Sequence, residues 1–175
     1  MDFSTLSGGP LHYPDCCLGL SRKLIETLLT RLPRRPALVL SIGSGSGLLE
    51  ATIQQASSND TTIDGVEVSR GINRHLPEEQ MHYVSGTWDL SPETAIASAW
   101  MFVYPREPKL LVRYLDHFGG EAVKMVVWLG PRADWPAFET VLRDAKFGTL
   151  DVVEDCGLTP YETLAVIKKS GSSLV

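Results

Sequence analysis

Leu38-Val39-Leu40-Ser41-Ile42-Gly43-Ser44-Gly45-Ser46-Gly47-Leu48-Leu49 is the stretch whose reading decides the fold. A short apolar run breaks into three glycines at alternate positions and then resumes in helix-forming residues. That order marks a buried strand, a tight turn and a helix start, the place where α/β folds hold a nucleoside-bearing ligand. Glycine suits the turn because a Cβ would obstruct both a left-handed backbone and the close approach of a ligand. The first free N–H groups of the helix that follows face such a ligand with partial positive charge.

The spacing excludes the common relatives of this turn. A P-loop needs Lys and Ser or Thr after its last glycine, and Leu48-Leu49 stands there. A nucleophile elbow needs Gly-x-Ser-x-Gly, and neither Ser44 nor Ser46 has glycine two residues to each side. The third glycine of a dinucleotide fingerprint would fall at Leu48. A nicotinamide-dependent reductase is therefore the weakest of the readings, and 175 residues also leave little room for its substrate domain.

Outward from the turn, strands and helices alternate. The spacing predicts a helix over Leu18–Leu32, capped by Asp15 or Ser21, then a strand over Ala37–Ile42 and a helix over Leu48–Ala56. Further strands are expected at Thr62–Val68, Met81–Val84, Ala97–Tyr104 and Ala122–Leu129. Helices are expected after Pro108 and Asp134. Leu150–Glu154 and Thr163–Lys168 have no helix between them and are expected to pair antiparallel. Alternation of this kind implies a mostly parallel sheet covered on both faces.

Composition narrows the class. A hydrophobic fraction of 43% and a charged fraction of 21% are ordinary for a globular domain. The net charge of −5 argues against nucleic acid as the main partner. Cys16, Cys17 and Cys156 form neither metal spacing nor a disulfide framework, so no metal is expected and a reducing compartment is. With no leader-like N-terminus and no apolar run near the ~18 residues of a membrane span, the chain reads as cytoplasmic or nuclear, without membrane association.

The glycine turn resembles motif I of class I S-adenosylmethionine-dependent methyltransferases. The element order and closing strand pair extend the resemblance over about residues 37–169. It implies an α/β, three-layer Rossmann-like sandwich with a mostly parallel seven-stranded sheet and an antiparallel last strand. Residues 1–36 are expected to form an N-terminal segment and helix, a candidate lid, and 170–175 a disordered tail. The cofactor implied is S-adenosyl-L-methionine. Its site would use Ser41, Gly43, Ser44, Gly45 and Gly47 of the turn region. Glu67 and Val68 would stand at the ribose, and Trp88 and Asp89 at the adenine. Asp89 reads equally well as a helix N-cap near Pro92, and Trp88 as core.

Two positions depart from the family. Ser41 stands where an acidic residue usually helps organise the methionine end. At the end of the Ala97–Tyr104 strand, Tyr104-Pro105-Arg106-Glu107-Pro108 matches the amine-aligning motif of some members only in its proline. Tyr104 and Arg106 are the candidates at the methyl site, and His12, Tyr13 and Pro105 are candidates for substrate contact. Trp128, Gly130, Pro131 and Trp135 could wall the pocket, with core packing the other reading for Trp128. His75, His82 and His117 have no ligand spacing and read as structural or solvated. The acceptor is an unidentified small molecule or protein, and a homodimer or partner subunit could complete the pocket. The alternative function is a non-catalytic methyltransferase-like subunit. The carboxyl end Ser173-Leu174-Val175 superficially suits a carboxylate-reading partner.

Overall fold

The computed structural model describes residues 1–171, so the readings made for residues 173–175 and most of the expected tail lie outside it. Two short strands, β1 (Leu11–Tyr13) and β2 (Cys16–Leu20), form an antiparallel hairpin ahead of helix α1 (Arg22–Arg31). The alternating part follows as β3 (Leu38–Ile42), α2 (Leu48–Ala56), β4 (Thr62–Glu67), β5 (Met81–Tyr83) and β6 (Ala99–Val103). It continues through α3 (Pro108–Phe118), β7 (Met125–Pro131), α4 (Trp135–Asp144), β8 (Gly148–Val153) and β9 (Glu162–Lys169).

The main sheet has seven strands in the order β5-β4-β3-β6-β7-β9-β8. Its first five positions pair in parallel, and β9 runs antiparallel to both neighbours. The expected Rossmann-like sandwich is what forms.

Period-two alternation along the central strands builds both faces. Val39, Ala99, Met101, Val127 and Val166 pack under Leu24, Ile25 and Leu28 of α1 and Leu49 and Ile53 of α2. Leu40, Ile42, Trp100, Phe102, Val126 and Ile167 pack under Leu111, Tyr114, Phe138 and Leu142 of α3 and α4. Each fully buried aliphatic or aromatic side chain contributes roughly 1.5–3 kcal/mol, so neither face is dispensable. Trp128 belongs to the second core, 5.0 Å from the ring of Trp135. With both rings buried there, the expectation that Trp135 walls a substrate pocket is corrected.

The N-terminal region differs from the sequence reading. The helix expected from Leu18 begins at Arg22, and residues 16–20 are a strand. Leu18 and Leu20, two residues apart, both point into the core, which is strand and not helix spacing. Ser21, and not Asp15, caps α1. Its Oγ accepts the Leu24 N–H at 3.1 Å and donates to the Gly157 carbonyl at 2.7 Å. Leu6, Leu18 and Leu20 make this segment part of the first core.

Ser21 therefore serves two elements from a fully buried position. Ser21→Ala is expected to lower unfolding free energy by about 1–2 kcal/mol, read from urea denaturation. A loss within error of zero would remove the cap from the account of how α1 starts.

Candidate active site

The chain order reverses at β3, which lies between β4 and the later β6. Open α/β sheets bind ligands at the carboxyl ends of strands flanking such a switch. A cleft of about 430 Å³ lies there, walled by the glycine turn, the ends of β4 and β6 and the β1–β2 hairpin.

The turn is shaped by left-handed backbone at Gly43, Gly45 and Gly47, with φ of 78°, 58° and 79°. It folds back on β4, where the Gly43 and Ser44 N–H groups donate to the Val66 carbonyl at 2.9 and 3.3 Å. The Gly45 N–H donates to Glu67 Oε1 at 2.6 Å. Gly65 permits this approach, because a Cβ there would meet Met81 Sδ at 2.9 Å and Ser44 Cβ at 3.0 Å.

Gly43, Ser44, Gly45, Glu67, Val68 and Asp89 line the cleft, as do Tyr104, Pro105 and Arg106. Four expectations for cleft contact are corrected among the remaining residues. Gly47 turns from the cleft toward Asn73 and Leu76, since it starts α2. Trp88 is 44% exposed on a shallow outer surface with Lys109 and Arg113, because the turn closed by Asp89 N–H on the Gly86 carbonyl directs it outward. His12 stands on the exposed hairpin, stacked on Tyr161 with Nε2 2.8 Å from its hydroxyl. Tyr13 packs against the first core.

Ser41 is fully buried below the cleft floor, on the β3 face that α2 covers. Its Oγ donates to Glu50 Oε1 at 2.6 Å, and Glu50 lines the cleft. Glu50 is a site residue the sequence reading missed. Its side chain is buried, and Oε2 has no partner among the described residues. Burial pushes this carboxyl up to about 7, against the opposing Ser41 hydrogen bond and with a smaller push from Glu67.

The hairpin supplies Asp15, Cys16 and Cys17, also unforeseen. Asp15 sits 2.6 Å from His75 Nε2, and its carbonyl accepts Ser46 Oγ at 2.9 Å. The His75 bond holds the Asp15 carboxyl below its ordinary range. Burial raises the Cys16 thiol to about 12, which keeps it protonated and unreactive at neutral pH.

Tyr104 follows β6 directly at φ +50°, a strained conformation for a non-glycine residue. Its hydroxyl donates to Glu162 Oε2 at 2.6 Å. Glu162 is buried and also accepts Thr159 Oγ1 at 2.8 Å and the Gly19 N–H at 3.2 Å. Burial first, and then the Glu162 carboxylate, hold the Tyr104 proton on far above the usual phenol range. Two of the histidines read as structural or solvated have acidic partners, His75 on Asp15 and His82 on Asp64 at 2.8 Å. Among the described residues no cluster of metal-ligating side chains forms, and no helix is long and apolar enough to cross a membrane.

The chain matches no protein-family model and no curated protein by sequence. Its fold does have solved counterparts. A precorrin-6y C5,15-methyltransferase from Geobacter metallireducens superposes with a TM-score of 0.63 at 13% identity, covering 92% of this chain and 94% of that one. The 23S rRNA methyltransferase ErmE gives 0.61 at 13% identity, over 90% and 71%. A ribosomal protein L11 methylase from Lactobacillus delbrueckii subsp. bulgaricus gives 0.56 at 14% identity, over 83% and 77%. The chain has the class I, Rossmann-like methyltransferase fold.

Folding lifts the Glu50 acid from 4.5 to about 7, so the folded chain keeps a proton that the unfolded chain gives up between those values. Stability is expected to fall as pH rises from about 5 to about 7 and to level off above that. Urea unfolding across this range reads the slope, and Glu50→Gln should remove most of it. The same slope in both proteins would assign it to another group.

Proposed function

We propose that this chain is an S-adenosylmethionine-dependent methyltransferase whose acceptor enters past Tyr104, Pro105 and Arg106. The observation that carries the reading is Glu67, fixed by the Gly45 N–H at 2.6 Å beside the left-handed glycine turn. A carboxylate there suits a ribose, because its two oxygens can accept from vicinal hydroxyls. Val68, Ile72, Val84 and Leu110 give the cleft an apolar wall suited to a purine, and Asp89 a hydrogen-bond acceptor for its amino group. The cleft volume, about 430 Å³, lies within the range of small-molecule sites. The residues present therefore fit the cofactor.

When bound, S-adenosylmethionine supplies an electrophilic methyl group, so the protein's main task is to position the acceptor. Tyr104 suits that task as a wall. Its hydroxyl is committed to Glu162 and keeps its proton, so it is ill placed to serve as a base. Arg106 is exposed at the mouth, where its planar guanidinium suits an acidic group of the acceptor. The acceptor is a small molecule or a protein, and a second copy or partner subunit closing the open side is compatible with either.

The committed Tyr104 hydroxyl also favours a second reading, a subunit that binds the cofactor without transferring its methyl group. Binding is common to both readings and is tested first. Calorimetry is expected to show binding of S-adenosylmethionine and S-adenosylhomocysteine and none of NADH. Glu67→Ala should weaken both by roughly 10- to 100-fold, the loss of a charged hydrogen-bond acceptor. Unchanged affinity in that variant would sink the ribose assignment. Methyl transfer to any acceptor would exclude the non-catalytic reading.

A further inference from the structure

Glu50 presents an unusual combination. Its carboxyl is buried, one oxygen is satisfied by Ser41, and the other has no donor although the residue lines the ligand cleft. Buried carboxyl oxygens are seldom left without a partner, and the cost of doing so is large. The groups that face it are Ser41 from β3, Cys16 from β2 and Glu67 from β4. None can bring positive charge, and among the described residues Glu50 makes no ion pair. A ligand entering the cleft can supply the donor that these groups do not.

A ligand of the S-adenosyl class carries one charged nitrogen donor, the α-ammonium of its amino-acid end. The neutral adenine amino group has its acceptor elsewhere, at Asp89 beyond β5, on the far side of β4 from β3. Glu50 rises beside β3 itself. Resting on the cofactor reading above, we propose that Glu50, held by Ser41, receives the α-ammonium of the bound ligand and releases its own proton to solvent as it does so. Its negative charge thus comes from α2, in place of the uncharged Ser41 on the strand.

The free protein holds Glu50 as a neutral acid below about pH 7, where burial places it. An ammonium against it favours the carboxylate, so binding exchanges a proton for an ion pair. Ligand affinity should consequently rise with pH up to neutrality and then become level.

Two probes separate this from the cofactor reading: S-adenosylhomocysteine, which has the amino-acid end, and 5′-methylthioadenosine, which lacks it. Calorimetry near pH 6.5 in buffers of different ionisation heat counts protons released. Wild-type protein is expected to release most of one proton with the first ligand and none with the second. Glu50→Gln should bind S-adenosylhomocysteine roughly 10- to 100-fold more weakly, without proton release, and bind 5′-methylthioadenosine as wild type does. The wild-type comparison of the two ligands needs no variant and stands if Glu50→Gln folds poorly. Equal proton counts for both ligands, equal loss of both in the variant, or no loss of either overturns the role of Glu50 alone. If wild type binds neither ligand, the cofactor reading fails and this inference falls with it.

Discussion

The structure depends on one turn being able to bend back over the strand beside it. Three left-handed glycines let the backbone leave β3, deliver two N–H groups to the Val66 carbonyl and a third to Glu67, and still enter α2 in register. The same five residues bind other segments. The Ser46 carbonyl accepts the N–H groups of Arg74 and His75 at 2.9 and 3.0 Å, and its hydroxyl reaches the hairpin at Asp15. Strand, helix, loop and hairpin thus meet in one short segment. A side chain at Gly43 or Gly45 would strain the backbone there and crowd the ligand face together.

Much of this was legible because the relevant signals are local. The glycine spacing, the helix Leu48–Ala56 and the helix starting at Pro108 depend on residues near one another, and the structure reproduces them. Glu67 was legible because it ends a strand at a recognisable distance from the turn. The hairpin was not, because Leu18 and Leu20 also fit the apolar series of the following helix; only their period-two burial separates them. Trp88 was misplaced because a four-residue turn decides which side of the loop it occupies. Glu50 was invisible for a different reason. An acid in the first turn of a helix ordinarily complements the helix dipole at the surface, and nothing local says that this one is buried against Ser41.

The two departures from the family pattern have different physical outcomes. At Ser41 the hydroxyl donates to a buried carboxyl, that of Glu50, carried by α2. At Tyr104 the side chain still lines the cleft, and its hydroxyl is committed to a buried network with Glu162, Thr159 and Gly19.

That network has a consequence for how the chain is made. Gly19 and Glu162, joined across 143 positions, and Ser21 and Gly157, joined across 136, tie the hairpin to the last strand pair. During synthesis the hairpin emerges well before the segments that anchor it. The wall carrying Cys16, Cys17 and Tyr104 is therefore closed only after β8 and β9 have emerged. Until then Leu18 and Leu20 lack their final neighbours, and the nascent chain carries exposed apolar surface that ribosome-bound chaperones are suited to shield.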